Sequence, residues 1–156
     1  MRNNREALRG WREELVAAGR SKGTIGVRLS HLRRCLDGIG KPVRDVTRRD
    51  LVEWMAAGDW SASTRRSVRA SLRSFFRWYG DEHGQDSIAE SLPAVPVPRA
   101  VPRPAADFVV MDSMRRAEEW VALAIEIMAT CGLRRAECAK LRVGDVEPVG
   151  QGWVIR

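Results

Sequence analysis

The chain has 156 residues, of which 44% are apolar, and a formal net charge of +7 at pH 7. This length and composition allow one ordinary domain or two small ones with a packed core. Because no apolar run approaches the roughly 20 residues that span a bilayer, and because the N-terminus lacks the apolar core of a signal peptide, the sequence predicts neither a membrane protein nor a secreted one.

The positive charge is concentrated in arginine, since all but three of the 27 basic residues are arginines. A basic globular chain favours nucleic acid or another anionic surface as its partner, and a merely soluble basic protein is the alternative. The cysteines Cys35, Cys131 and Cys138 form no CxxC pair. We therefore expect reduced thiols in a cytoplasmic protein of a bacterial or phage-infected cell.

Apolar residues at helical spacing predict four helices in the first half of the chain. The first apolar stripe contains Leu8, Trp11 and Leu15, and the helix is expected to end at Gly19. The second stripe consists of Ile25, Leu29, Leu32, Leu36 and Ile39.

The third and fourth helices carry clearer boundary signals. Thr47 and Asp50 have the spacing of an N-terminal capping box, and Val46 and Leu51 the spacing of a hydrophobic staple. The fourth helix is the most regular, and we expect Gly80 to end it. Its apolar stripe consists of Val68, Leu72, Phe75, Phe76 and Tyr79.

A proline-rich stretch then separates two parts of the chain. Proline at this density is incompatible with a helix and favours an extended tether. We therefore predict a helical domain at residues 1–84, a linker at 85–107 and a second domain at 108–156. The prolines are Pro93, Pro96, Pro98, Pro102 and Pro104.

The second predicted domain begins with a helix that ends at Gly132. A short helix from Arg134 to Leu141 follows, and then a strand from Trp153 to Arg156. Because the remaining sequence offers this strand no evident ladder partner, we expect it to be unpaired and the domain to be truncated.

Arginines repeat every four residues along the fourth helix, and the face beside them carries only small residues, alanine and serine. The helix has no acidic residue between Arg65 and Tyr79, so its like charges repel unless an anionic partner relieves them. A solvated basic face is the alternative. With a similar set on the second helix, the predicted contacts to a DNA backbone are Lys22, Arg28, Arg33, Arg65, Arg66, Arg69 and Arg73.

Other kinds of site have no support in the sequence. It contains no zinc-ligand spacing, phosphate-binding loop or dinucleotide motif, so we expect no metal and no cofactor. Tryptophans stack on bases in some nucleic-acid-binding proteins, but core packing is the commoner role. We assign Trp11, Trp54, Trp60, Trp78 and Trp120 to packing.

The stretch ATCGLRRAECAKLRVGDVE, residues 129–147, places Arg134 where a helix restarts after Gly132. Positive charge at a helix start costs a few tenths to about 1 kcal/mol. An arginine there is either a tolerated surface residue or part of an anion site built with the free backbone N–H groups. Spacing alone leaves both interpretations open.

This stretch resembles the tyrosine recombinase (phage integrase) motif, in which Gly-Leu-Arg precedes a glutamate three residues on, then Leu-Arg and an aspartate. The basic helices and proline-rich linker before it resemble the core-binding (SAM-like) domain of that family. The resemblance implies a mainly α fold: a four-helix core-binding domain, a linker and a partial α+β catalytic domain. It further implies that Arg134 is the first catalytic arginine, that Glu137 helps organise the site, and that Gly132 permits the turn.

Members of the family cleave DNA with a tyrosine, assisted by a further arginine, a lysine and histidines, and intact relatives assemble as tetramers on DNA. None of these further motifs occurs in the chain, whose one tyrosine, Tyr79, matches a core position. The resemblance therefore implies binding of double-stranded DNA at an attachment or crossover site, in integration or recombination. It implies no strand cleavage by this chain alone, and leaves open whether the chain is itself an enzyme.

Two other functions remain open on the sequence. One is a non-enzymatic DNA-binding regulator or integrase remnant that uses the basic helices alone. The other is a helical protein–protein module whose basicity is incidental. A steep fall of DNA affinity with salt distinguishes the DNA-binding functions from the protein–protein module.

Overall fold

The computed structural model describes residues 2–96, 98, 101 and 103–156 and confirms the mainly α fold. The chain forms two compact units, Met1–Arg99 and Ala100–Arg156. The first contains α1 (Arg2–Ala17), α2 (Lys22–Ile39), α3 (Arg48–Ala57) and α4 (Ala62–His83), with a 3₁₀ turn at Val43–Asp45. The second contains α5 (Asp107–Arg116), α6 (Glu119–Cys131), α7 (Arg135–Cys138), a 3₁₀ turn at Val143–Asp145, β1 (Val146–Val149) and β2 (Gly152–Ile155).

Local side-chain caps begin α2, α3 and α4. The Ser21 hydroxyl accepts a hydrogen bond from the Thr24 backbone N–H, and Ser61 caps α4 in the same way. At α3 the predicted capping box is confirmed, because the Thr47 hydroxyl accepts from the Asp50 N–H while the Asp50 carboxylate accepts from the Thr47 N–H. Such caps satisfy N–H groups that have no partner within the helix.

The end of α4 differs from the sequence prediction. The helix continues through Gly80 to His83, and Gly84 ends it in the left-handed conformation, with φ of 62°. Gly80 is helical and buried, and the backbone carbonyl of Gln85 lies so close that a Cβ at residue 80 would collide with it. The glycine therefore serves close packing of the following chain, a role that spacing along one helix does not reveal.

The core of the first unit lies among its four helices. The largest fully buried side chains include Trp11 from α1, Leu32 from α2, Leu51 from α3 and Phe75 from α4. Trp11 and Phe75 meet edge to face with their ring centroids 5.2 Å apart. Burial of each of these large apolar side chains contributes roughly 1.5–3 kcal/mol, which is the main force that holds the bundle together.

The chain after α4 packs onto this core. Ala89 and Leu92 are buried in it, and Ile88 and Val95 pack against it. The first unit thus includes residues that the sequence analysis places at the start of the linker. Residues 97, 99, 100 and 102 of the predicted linker, including Pro102, lie outside the described residues.

The second unit exposes more of its apolar surface. None of its described residues is buried, and Trp120 is 70% exposed, so the assignment of this tryptophan to packing is wrong within this unit. The sequence analysis also missed α5, whose apolar run includes Phe108 and Val109. Its N-terminus has no side-chain cap, which removes the usual signal for a helix start.

The prediction of an unpaired terminal strand is wrong. β2 pairs with β1 in an antiparallel hairpin, with Val146 opposite Ile155 and Val149 opposite Gly152. The loop contains Gly150 in the left-handed conformation, with φ of 61°. The partner strand was missed because it is short and contains Pro148, and proline weakens a strand prediction.

Candidate nucleic-acid interface

The predicted Gly132 turn presents Arg134 at the surface. Gly132 ends α6 with φ of 68°, a conformation that glycine adopts without steric cost. Arg134 is the residue immediately before α7, and its side chain is 86% exposed. The short helix is four residues long, Arg135–Cys138, which is less than the predicted stretch from Arg134 to Leu141.

Glu137 holds Arg134 through two contacts. One carboxylate oxygen accepts a hydrogen bond from the Arg134 backbone N–H at 2.8 Å, and the other accepts from Nη1 of its guanidinium at 3.1 Å. The backbone N–H first, and then the guanidinium, lower the pKa of Glu137. The carboxylate is thus ionised at neutral pH. It fixes one edge of the guanidinium and leaves the other N–H groups without a hydrogen bond to any described residue.

Two of the predicted DNA contacts on α4 bind backbone carbonyls of the chain itself. The Arg65 guanidinium donates to the carbonyls of Met55 and Gly58 at the end of α3, and lies over the Trp60 ring. Arg69 donates from Nε and Nη2 to the Leu92 carbonyl at 3.1 and 2.8 Å. Both side chains therefore tie neighbouring segments to α4.

The next two arginines of α4 share an acidic partner. Arg73 and Arg77 both form ion pairs with Glu90, which follows α4 in the chain. Hydrogen bonds from Arg77, and then from Arg73, lower the pKa of Glu90. Glu90 thus reduces the repulsion between these two arginines, for which the sequence analysis invoked an external anion.

The remaining predicted DNA contacts have few or no bonded partners among the described residues. Lys22, Arg33 and Arg66 are exposed and form no hydrogen bond or ion pair with any described residue. Arg28 is half-buried and donates to the Ser74 hydroxyl at 3.0 Å. Lys22, Arg33 and Arg66 are thus available to an external anion without loss of an internal contact.

Sequence reasoning overlooked three exposed arginines on α1. Arg5, Arg9 and Arg12 line one groove together with Arg33 of α2. The available signal was their spacing of four and three residues, which places them on one face of a helix. The arginine repeat on α4 is the stronger signal because it is longer and has no acidic residue between Arg65 and Tyr79.

The described residues provide little for other kinds of site. They contain no group of three or more metal-ligating side chains, and no helix among them is long and apolar enough to cross a bilayer. The one tyrosine, Tyr79, is 8% exposed and stacks on Phe75 and His83. Burial raises the pKa of its hydroxyl.

No protein-family model matches the sequence, and no curated protein sequence matches it. Among solved structures, the chain is similar to the integrase from mycobacterium phage Brujita, with 25% sequence identity and a TM-score of 0.58. The similarity covers 90% of this chain and 50% of that integrase, so the chain spans half of the length of the protein that it matches. The chain therefore has an integrase-like, mainly α fold.

Proposed function

We propose that the chain is a DNA-binding part of a site-specific tyrosine recombinase that acts in DNA integration or recombination. The observation that carries the proposal is the integrase-like fold over 90% of the chain, within which Arg134 stands exposed beside Glu137. The partner is double-stranded DNA at an attachment or crossover site. In this proposal residues 1–84 correspond to the core-binding domain and residues 108–156 to the beginning of the catalytic domain.

Arg134 has the chemistry that the proposed role requires. A guanidinium presents N–H groups in a planar fork that matches two phosphate oxygens, and its charge persists at all physiological pH values. Glu137 orients the fork without covering it, because one carboxylate oxygen is used on the Arg134 backbone. We propose that Arg134 holds a backbone phosphate and that Glu137 positions it.

The helical unit supplies further positive charge in this proposal. Lys22, Arg33 and Arg66 contact phosphates directly, since none of them has an ion-pair partner among the described residues. For Arg28, Arg65, Arg69 and Arg73 a DNA contact stays a prediction, and each would have to serve DNA in addition to its partner within the chain.

We expect binding without strand cleavage by these 156 residues. Cleavage in this chemistry needs a nucleophile that reaches the phosphorus, and Tyr79 is packed between aromatic rings. A suicide substrate, nicked so that a covalent intermediate would accumulate, tests this directly. A covalent protein–DNA adduct would contradict the expectation.

The role of Arg134 is tested by two substitutions at that position and one beside it. We expect Arg134→Ala to weaken duplex binding about tenfold, because a hydrogen bond to a charged group contributes ~1.5–3 kcal/mol. Arg134→Lys should restore only part of the affinity, since lysine keeps the charge and loses the fork. Arg135→Ala removes an exposed arginine next to it and is the matched control. Equal effects of Arg134→Ala and Arg135→Ala would contradict the proposed role.

Salt dependence decides between this function and a helical protein–protein module. Affinity for a duplex should fall steeply as salt rises, since each neutralised phosphate contributes about 0.9 to the slope of log K against log salt. A flat dependence would contradict DNA binding as the function.

A further inference from the structure

An arginine-lined groove lies between α1 and α2, and none of the α4 arginines lines it. It has a volume of about 330 Å³, with Arg5, Arg9 and Arg12 on one wall and Arg33 on the other. The apolar residues that line it are Leu8 and Leu29. A second groove of about 250 Å³ shares Arg5, Leu8 and Arg33 with it and adds Asn4, Leu36 and Asp37. We call the two together the α1–α2 groove.

The arginines of the α1–α2 groove are not engaged by other side chains within the described part of the chain. All four of its arginines are exposed, and none forms a hydrogen bond or ion pair with another residue in the part of the chain that the structure describes. Asp37 is the acidic residue that lines it, at the second groove. In contrast, Arg73 and Arg77 of α4 share the single carboxylate of Glu90 as their ion-pair partner. The groove arginines can therefore bind an external anion without breaking a contact among the described residues.

The arrangement along α1 fits a linear polyanion. At 1.5 Å per residue, Arg5 and Arg12 lie about 10 Å apart along the helix axis. One strand of duplex DNA presents a phosphate every ~3.4 Å of its axis and winds around that axis, so a row of this length can reach more than one phosphate. An isolated phosphate would engage one or two guanidinium groups and leave the remainder unpaired. Leu8, which is half-buried, offers an apolar surface to a deoxyribose ring.

We propose that the α1–α2 groove binds the sugar–phosphate backbone of double-stranded DNA. The inference rests on the proposed function and deepens it, because it names a surface that holds the duplex and adds Arg5, Arg9 and Arg12 to the contacts. The groove makes backbone contacts, which position a protein on DNA without reading its sequence. Its contribution to affinity is therefore the same for duplexes of different sequence.

The test compares two triple variants of the whole chain that lose the same charge. Arg5→Gln/Arg9→Gln/Arg12→Gln removes the row on α1. Its control removes three exposed arginines that do not line the groove, as Arg34→Gln/Arg44→Gln/Arg49→Gln. Binding of a labelled mixed-sequence duplex is measured by fluorescence anisotropy over a series of salt concentrations, and circular dichroism checks that each variant is folded.

We expect the groove variant to lose at least about tenfold in affinity, with a slope of log K against log salt that is smaller in magnitude by about 2 to 3, and the control to change much less. Equal losses in the two variants, with strong binding by the unchanged chain, would overturn the groove and leave the proposed function standing. Salt-insensitive binding by the unchanged chain would overturn both. If the triple variant does not fold, Arg9→Gln against Arg34→Gln makes the same comparison, with an expected slope change of about 1.

A phospholipid headgroup is the other source of phosphate that this groove could meet. Binding to vesicles that contain phosphatidylserine is therefore measured with the same variants. Loss of vesicle binding by the groove variant, with its duplex binding unchanged, would overturn DNA as the occupant. Loss of duplex binding with no vesicle binding by the unchanged chain supports the proposal.

Discussion

Substitution of Arg69 by alanine tests whether this arginine acts within the chain. Its Nε and Nη2 both donate to the carbonyl of Leu92, a residue that is buried in the core of the first unit. Hydrogen bonds from a charged group contribute ~1.5–3 kcal/mol, and removal of the donor leaves the carbonyl without this partner. We therefore expect Arg69→Ala to reduce the free energy of unfolding by about 2 kcal/mol.

Arg66 is the matched control because it lies on the same helix and is exposed, with no bonded partner among the residues described. Surface substitutions of this kind stay within about 0.5 kcal/mol, so Arg66→Ala should leave stability almost unchanged. With a urea dependence of 1–3 kcal/mol per molar, Arg69→Ala shifts the unfolding midpoint by roughly 1 M.

Urea unfolding, followed by circular dichroism, measures both variants, and duplex binding is then compared where both are folded. Equal unfolding midpoints for Arg69→Ala and Arg66→Ala would refute the reasoning, because the contact to Leu92 would then contribute nothing measurable. Retained duplex binding by Arg69→Ala would assign this residue to the fold alone, whereas weakened binding would show that it serves both.

Three further predictions follow from the first unit and from the cysteines. Gly80→Ala should destabilise the chain by about 1–3 kcal/mol because the new Cβ collides with the Gln85 backbone. Gly26→Ala, inside α2 with open space around it, should instead stabilise the chain by ~0.5–1 kcal/mol. Equal shifts of the thermal unfolding midpoint in the two variants would contradict this. A hydrogen bond from Lys41, and then those within the capping box, lower the pKa of Asp50 from 3.8 to about 2. Its stabilising contribution is thus fully present above pH 3.8 and lost as the pH falls towards 2, and a carboxyl titration by NMR with an ordinary midpoint would disprove it. Burial raises the pKa of the Cys35 thiol to about 12, so an alkylating reagent should modify exposed Cys131 and reach Cys35 only on unfolding; equal labelling rates in the native protein would be inconsistent with that burial.

The parts of the fold that could be predicted are those governed by short-range interactions. The Thr47–Asp50 capping box, the turn at Gly132 and the apolar stripes of the first four helices all involve residues within one or two turns of each other. Helix α5 shows the limit of that reasoning, because it has no cap and no described residue of it is buried. Without a capping residue or a buried face, a helix has no start signal in the sequence, and only the helix propensity of its residues indicates it.

In the candidate site, too, contacts between residues close in sequence could be predicted and contacts between distant residues could not. Arg134 is exposed and contacts Glu137, which lies within one turn of it, so their contact could be anticipated from the sequence spacing. The Arg69 contact depends on Leu92, which is 23 residues away, and no pattern within α4 could reveal it.

The sequence by itself determined the mainly α character, the start of α3 and the glycine turn before Arg134, because caps, periodicity and turns act over a few residues. Only the tertiary structure decided which arginines are occupied within the chain, why Gly80 is a glycine and which strand pairs with β2. The physical reason is that ion pairs, close backbone packing and strand pairing depend on groups brought together by the fold. Charge repeats alone therefore mark a basic surface without showing how much of it is free to bind another molecule.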